Sequence, residues 1–437
     1  MARMNQATVL ILTASFAVAN IHAAQPARKS TPEANDLIEV RIKRTQPLPT
    51  GTEMCLLGRD AKGYPVPRVA VKSSEIEFFD DDGNVKKRVI RLTQDNQNIK
   101  TRIYNGRQEK TIGVHITKGF SSKRESWTSG EYFIFDLDGR QTLHLEKFND
   151  NTQPMPAPSG DYAVGWPGPT TPGGPPIFYD ASGVRNKWAK GFSGTGWPDG
   201  FEVSNVEFSD NGQMVGVEAR HGRKRRALVF SSSGDKLFEL ENGGRVLFSP
   251  TKGNLAFYKW GHGVGFADIS GKESEGPSIE AFPEKFSSDG RRLLARSGGF
   301  LAMIDVETGK ELWRWSRTQG QIPGKDSSGK AIQTKTPQFS LRKVDATEDF
   351  SLIVVLGMTM RFEYPNPNQP QRRLAVDKDH IFFIDAGGKL LREETLPGGT
   401  FSTPEAAIKL SADGSTVVVA GSDKVSHFSI VRGTPRQ

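Results

Sequence analysis

Cysteine is nearly missing from this chain: Cys55 is the one thiol among 437 residues. That excludes an intrachain disulfide framework, a Cys-x-x-Cys-His haem attachment and a cysteine-rich zinc site. Histidine is scarce as well. The seven present (His22, His115, His144, His221, His262, His380 and His427) share no metal-ligand spacing. No Gly-x-Ser-x-Gly elbow and no phosphate-binding loop occurs, so those two enzymatic signatures are absent. There is no Asn-x-Ser/Thr sequon, which fits a bacterial periplasmic setting. No apolar run reaches the ~20 residues that a membrane-spanning helix needs. Neither sign of charge dominates: 58 Lys and Arg face 50 Asp and Glu, a net +8.

Turn-forming residues, in contrast, are abundant. Glycine at 46 and proline at 26 exceed average usage, which argues for many turns and against a helical bundle. Hydrophobic residues at 36% supply a core and exclude wholesale disorder. Residues 1–24 carry the three parts of a secretory signal: a start with Arg3, the 13-residue apolar run Ala7–Ala19, and small residues at Ala17-Val18-Ala19 and Ala23-Ala24. A helix of that run spans only ~20 Å of a ~30 Å hydrocarbon core. The expectation is an exported chain, periplasmic or secreted, with a cleaved signal peptide and no transmembrane segment in its mature form. Residues 25–36 read as a disordered leader, 37–432 as a single domain and 433–437 as a tail. Cys55 lies too far along to be a lipidated first residue, and its setting Glu-Met-Cys-Leu-Leu places it in a buried strand.

One unit recurs along the rest of the chain: an apolar run, Asp or Ser, two or three residues, Gly, then another apolar run. Its turns are Asp80–Gly83, Asp136–Gly139, Asp180–Gly183, Ser231–Gly234, Asp268–Gly271, Asp305–Gly309 and Asp385–Gly388. A second element precedes it in later units, as Phe208-Ser-Asp-Asn-Gly212, Phe248-Ser-Pro-Thr-Lys-Gly253, Phe286-Ser-Ser-Asp-Gly290 and the looser Leu410-Ser-Ala-Asp-Gly414. Asp or Ser at the head of a turn accepts hydrogen bonds from backbone N–H groups, and Gly supplies the positive φ that closes a hairpin. Two hairpins per unit make four antiparallel strands. Ser231, Asp268 and Asp305 follow one another at 37 residues, and four-stranded units of about 40–50 residues are the pattern of a β-propeller. On strand spacing alone, a stack of sandwiches is the alternative.

Seven turns plus the incomplete last unit Ile408–Val431 give an all-β propeller of eight blades. The last unit lacks its outermost strand, which Asp36–Lys43 would supply through the alternating Ile38, Val40 and Ile42. Strands from both termini would then close the ring and cover its sheet edges. The count falls to seven if Glu75–Leu92 is itself the closing segment.

At Asp305-Val-Glu-Thr-Gly-Lys-Glu-Leu-Trp313 the sequence resembles the tryptophan-docking repeat of the PQQ-like propeller superfamily, with Asp305, Thr308, Gly309 and Trp313 at the matching positions. The resemblance implies that Asp, Thr and Gly shape the turn and that Trp packs between neighbouring blades. Asp180, Gly183 and Trp188 keep the Asp-to-Trp separation. Asp136–Gly139 and Asp385–Gly388 keep the turn, while Leu143, Phe238 and Leu390 stand near the Trp position. The Phe-Ser-x-Asp-Gly elements resemble those of WD40-like and TolB-type propellers. In the quinoprotein dehydrogenases of the same architecture, vicinal cysteines and calcium-holding residues surround the quinone. One cysteine cannot form that pair, so the resemblance implies a non-catalytic member with no cofactor, and it speaks to fold rather than activity.

Outside the repeat, the densest charge is His221-Gly-Arg-Lys-Arg-Arg226, between the apolar segments Met214–Glu218 and Ala227–Phe230. It is expected at a hairpin tip, where Arg223, Lys224, Arg225 and Arg226 either meet an acidic partner, an anionic lipid surface or a polyanion, or form a solvated loop. Nucleic acid is not expected, because the chain reads as exported and no aromatic stacking platform accompanies the charges. Three inserts interrupt the units: Trp166–Pro176, the polar and structureless Arg317–Pro337, and Tyr364–Arg373, which extends a hairpin. Long loops on a compact ring commonly carry binding, which makes Trp166, Trp197 and Tyr364 candidate contacts. Asp80-Asp81-Asp82 lacks the spaced ligands of a calcium loop and reads as a capped turn.

These readings predict an exported, monomeric propeller that binds a protein partner in the bacterial envelope, as a scaffold without catalytic or metal-binding residues. The alternative is an enzyme or small-ligand binder, quinoprotein-like or hydrolase-like, working in the central funnel. Carboxylates or histidines clustered at the funnel mouth would mark it.

Overall fold

In the computed structural model the repeat turns close as their residues dictate. The structure describes residues 38–50, 52–72, 75–90, 99–105, 110–118, 129–148, 152–167, 175–184, 201–251, 253–317, 323–325, 331–333, 339–363, 373–396, 406–421 and 424–432. The signal-like segment 1–24 and the leader 25–36 lie outside them, as do Trp188, Trp197 and Tyr364. Asp80 Oδ1 accepts the N–H groups of Asp82 and Asn84 at 3.0 and 2.8 Å. Asp136, Asp268 and Asp385 accept from the residues two and four positions on in the same way. Asp305 takes both the N–H and the hydroxyl of Thr308, at 2.8 and 2.7 Å, and the hydroxyl bond is the main reason its carboxyl stays below the usual range. The second element closes similarly, with the Ser209, Ser287 and Ser411 hydroxyls accepting the N–H five residues on at 2.9–3.0 Å.

Hairpins joined by these turns assemble, among the described residues, into eight four-stranded antiparallel sheets and one two-stranded ribbon. Seven blades follow the chain: 52–90, 99–148, 152–184, 202–241, 243–275, 282–315 and 339–396. Blade 8 contains Ala407–Leu410, Thr416–Ala420 and Lys424–Arg432, and its outer edge is completed by Ile38–Pro47. That strand pairs with the C-terminal one from Ile38 opposite Arg432 to Pro47 opposite Lys424, so the two ends of the chain close the ring. Eight is the blade number: Glu75–Phe79 and Val85–Ile90 are the outer half of blade 1 and not a closing segment. Among the described residues no helix is long and apolar enough to cross a membrane.

Among the described residues the apolar side chains form eight clusters, each lying between one blade and the next. Blades 3 and 4, for example, share Tyr162, Val164, Phe178, Phe208, Val217 and Phe230. Blades 6 and 7 share Met303, Trp315, Phe339 and Phe382. The last wedge joins blade 8 to blade 1 through Ala407, Val418 and Val425 against Cys55 and Leu57, so Cys55 is a buried strand residue. With about 1.5–3 kcal/mol gained per fully buried large apolar side chain, stability is spread around the ring.

In every blade but the eighth, the first strand is the innermost, facing the first strand of the next blade as Glu202–Phe208 faces Gly243–Phe248. Antiparallel alternation then sends all first-to-second and third-to-fourth connections to one end of the ring. The Asp- and Ser-headed turns lie there and bond to one another, as Ser232 N–H does to Gln213 O (2.8 Å) and Ser288 N–H to Glu348 O (2.9 Å). This is the turn face. Second-to-third and blade-to-blade connections lie at the other end, the hairpin face. All three sequence inserts join strand ends on the hairpin face. Arg317–Pro337 is not structureless throughout: Pro323–Lys325 pairs with Ala331–Gln333 as a small ribbon. The third insert joins the ends of a long hairpin, Leu352–Glu363 with Arg373–Asp385, and residues 364–372 themselves lie outside the described residues.

Candidate interaction site on the hairpin face

The basic run lies in blade 4, and its strands continue further than the apolar pattern indicated. Met214–His221 and Lys224–Ser231 stay paired up to His221 opposite Lys224, leaving Gly222 and Arg223 as a two-residue tip. A tip this short needs positive φ, and Gly222 supplies it at +57°. Arg225 and Arg226 are therefore strand residues and not tip residues. They extend the strand because their aliphatic stems cover apolar surface. The Arg226 guanidinium lies 5.3 Å from the Phe201 ring centre and pairs with Glu239. Arg225 lies 5.1 Å from the ring of Trp260. Arg223 and Lys224 are exposed, and among the described residues neither side chain makes a hydrogen bond or ion pair. Beside them Glu202, Arg220, His221, Gly222 and Arg225 line a shallow cleft of about 240 Å³. Burial pushes the nearby Glu218 carboxyl above its usual range, against the pull of Arg225.

An aromatic strip starts where this hairpin ends. Trp260 stands at the tip between Asn254–Lys259 and Gly263–Asp268 of blade 5 and is 39% exposed. Its backbone N–H donates to Asn242 O at 2.9 Å. Gly244 makes room for the indole, since a Cβ there would stand 2.8 Å from Trp260 Nε1. Tyr258 meets Trp260 edge-on at 4.9 Å and lies 4.5 Å from Phe282. Phe282, also 39% exposed, opens the innermost strand of blade 6. Arg225, Trp260, Tyr258 and Phe282 thus run across blades 4, 5 and 6 to the start of an innermost strand. The sequence reading missed this strip because Trp260 sits in the tight turn Trp260-Gly261-His262 and not in an insert. A tryptophan followed by glycine at a hairpin tip was the available signal.

Five of the innermost strands, in blades 1, 4, 5, 6 and 7, share a further feature. Their pairing skips Glu53, Ser204, Gly244 with Arg245, Glu284 and Arg342, each a bulge near the hairpin-face end of its strand. A bulge leaves its extra residue out of the ladder and re-aims it, and here it places charge where blades meet. Arg245 lies 3.1 Å from Glu207 of blade 4 and 3.6 Å from Glu284 of blade 6, which Arg296 also meets at 2.7 Å. Further around, Lys285 pairs with Asp345 of blade 7, and Lys409 of blade 8 donates to Leu57 O of blade 1 at 3.3 Å. These charges answer one another from blade to blade.

The remaining sequence candidates are placed as follows. Trp166 is 9% exposed and packs with Phe201 in the wedge between blades 3 and 4. Asp180 Oδ1 accepts the Ser182 N–H at 2.8 Å in its turn. Asp81 accepts the Ala61 N–H at 3.2 Å and pairs with Arg68 at 2.6 Å, consistent with a turn that caps and fastens. His144 pairs with Glu131 at 3.1 Å and stacks on Phe133. His380 holds Glu393 at 2.8 Å through Nδ1. Burial, then the Arg317 charge, lowers its pKa in spite of that carboxylate. Among the described residues no three His, Cys, Asp or Glu stand together to hold a metal ion.

No protein-family model and no curated protein matches the chain. Among solved structures it is similar to the β-propeller domain of Cps50 (Swd1) from Myceliophteria thermophila, at 11% identity over 90% of this chain and 100% of that one, with a TM-score of 0.42. It is similar to BamB from Moraxella catarrhalis at 9% identity over 91% and 99%, TM-score 0.48. It is also similar to dihydro-heme d1 dehydrogenase NirN in complex with DHE, at 13% identity over 93% and 82%, TM-score 0.47. The eight-bladed ring itself rests on the strand pairing of this chain.

Proposed function

We propose that the chain is an exported propeller scaffold that docks a protein partner of the bacterial envelope on its hairpin face, acting by binding and not by catalysis. One observation carries the reading. Within a single hairpin Arg225 and Arg226 are committed to Trp260, Phe201 and Glu239, while Arg223 and Lys224 stand exposed with no partner among the described residues. Charges left unpaired at a rigid tip are available to steer and hold an acidic surface. The contrast between the two faces supports this side: the turn face is tied down by capped turns, and the inserts open on the hairpin face. The signal-like residues 1–24 supply the compartment. The PQQ-like and WD40-like resemblance of the turns supplies the family reading. The chain's own two ends close the ring, and this reading takes it as a monomer.

Expression of the full sequence in a bacterial host, followed by fractionation and intact mass, tests the first half. The expected result is a periplasmic chain lacking about residues 1–24, and an unprocessed cytosolic chain overturns the assignment. Cross-linking in the same cells tests the second half. The parent is expected to give an adduct with a defined envelope protein that the doubly substituted Arg223→Glu, Lys224→Glu chain loses. An adduct that survives the substitution overturns the docking face, and no adduct at all overturns the binding role.

A further inference from the structure

We infer that the docked segment is an acidic peptide with an aromatic or aliphatic anchor, its carboxylates on Arg223 and Lys224 and its anchor on the Trp260–Phe282 strip. This rests on the docking reading above and names the partner's chemistry. Trp260 and Phe282 are the large exposed aromatic side chains among the described residues besides Tyr64, and Tyr258 links the two into one surface. Arg, Trp and Tyr clustered beside each other are the composition of an interface hot spot.

The strip is also preorganised, so little ordering cost falls due on binding. Arg225 covers the Trp260 ring, the Asn242 carbonyl fixes its backbone, and Gly244 admits the indole against the strand. The neighbouring Lys259 is paired with Glu273 at 2.7 Å. Unpaired positive charge therefore lies at the blade 4 end of the strip, which sets a direction: acidic residues toward blade 4, the apolar anchor toward blades 5 and 6.

A random 12-residue peptide library displayed on phage, selected against the full chain, tests the pairing of chemistries. The expected selection combines Asp or Glu with a Phe, Trp or Leu, and a synthetic peptide of that kind binds in a salt-dependent way. Trp260→Ala is expected to weaken it by about 10-fold or more, as truncation of a hot-spot residue does. Trp260→Phe, which keeps a ring, retains most of the binding and controls for folding. Arg223→Glu with Lys224→Glu removes the salt dependence. Acidic peptides that lack an anchor, and that bind the parent and Trp260→Ala equally, overturn this inference and leave the docking reading intact. A selection without acidic residues overturns both. Heparin that binds the parent and competes off the peptide, with affinity unchanged by Trp260→Ala, assigns the face to a polyanion and overturns the peptide.

Discussion

Trp313 of blade 6 is docked on Gly388 of blade 7. Its Nε1 donates to the Ala386 carbonyl oxygen at 2.8 Å, and a Cβ built on Gly388 would stand 2.6 Å from its Cδ2. The outer strand of one blade thereby clasps the turn of the next. Phe238, on the outer strand of blade 4, does the same against Gly271, and Phe78, on the third strand of blade 1, meets Gly139, at 2.8 and 2.9 Å from the corresponding built Cβ. The clasp recurs because the turn glycine is bare on the side that meets the preceding blade.

Gly388→Ala is accordingly expected to destabilise the ring twice over. Its φ of +82° strains any other residue, and the added methyl pushes Trp313 away; together these cost about 2 kcal/mol or more. Trp313→Phe keeps a ring and loses the hydrogen bond, with an expected cost of about 1 kcal/mol. Urea unfolding compares the midpoints, and an unchanged midpoint for Gly388→Ala contradicts the clasp.

Phe350 occupies the glycine position of the first turn in blade 7, with φ +58° and its side chain fully buried. Strain of about 1–3 kcal/mol is outweighed by burial of the ring among Met303, Ile353 and Ile384. Phe350→Gly is therefore expected to lower stability even though it relaxes the backbone, by about 2 kcal/mol net. A gain in thermal midpoint would reverse this ordering of the two effects.

Phe350 also shows what the sequence made legible. Asp, Ser and Gly mark turns because their chemistry is local, so seven outer turns and the closing strand with Ile38, Val40 and Ile42 could be read directly. The first turn of blade 7, Thr347–Phe350, carries no such mark, because an aromatic stands at its glycine position. The ends of the basic strands were misjudged because Arg225 and Arg226 bury their stems, which composition scores as polar. The pairs Glu207–Arg245 and Lys285–Asp345 leave no spacing signal, since they join residues brought close only by the packing of one blade on the next. The surface around Trp260 needed three consecutive blades in place before it existed.

Asp345 fastens three blades: it pairs with Lys285 of blade 6 and accepts the Leu410 N–H of blade 8 at 2.8 Å. Burial opposes the carboxylate, but Lys285 and the Leu410 N–H outweigh it and hold its pKa below the usual range. Lys285→Met, which leaves that buried charge with only the Leu410 N–H and the Lys409 charge to answer it, is expected to cost about 3 kcal/mol. Adding Asp345→Asn, which keeps an acceptor for Leu410, should recover a large part of the loss. Urea midpoints of the single and double variants check this, and a double variant no better than Lys285→Met contradicts it.

His427 links stability to pH. It sits opposite Arg44 in the closing strand pair, and its Nε2 is buried with no hydrogen-bond partner among the described residues. Burial, followed by the Arg44 and Lys43 charges, lowers its pKa from 6.5 to about 4. The unfolded chain takes up this proton near pH 6.5 while the folded chain does not until about pH 4. Between those values the unfolded state binds more protons, so stability falls as pH drops and the loss is complete below the lower value. His427→Gln is expected to flatten that part of the profile. Urea midpoints from about pH 7 to about pH 4.5 that decline in parallel for parent and variant contradict it.

The central claim is that one face of the ring binds, and a photo-cross-linking amino acid placed at Lys224 on the hairpin face and at Asn84 on the turn face tests it most directly. Both positions are exposed. Irradiation in cells is expected to give one discrete protein adduct from position 224 and none from position 84. An adduct from position 84 with none from 224, or equal labelling at both, contradicts the account.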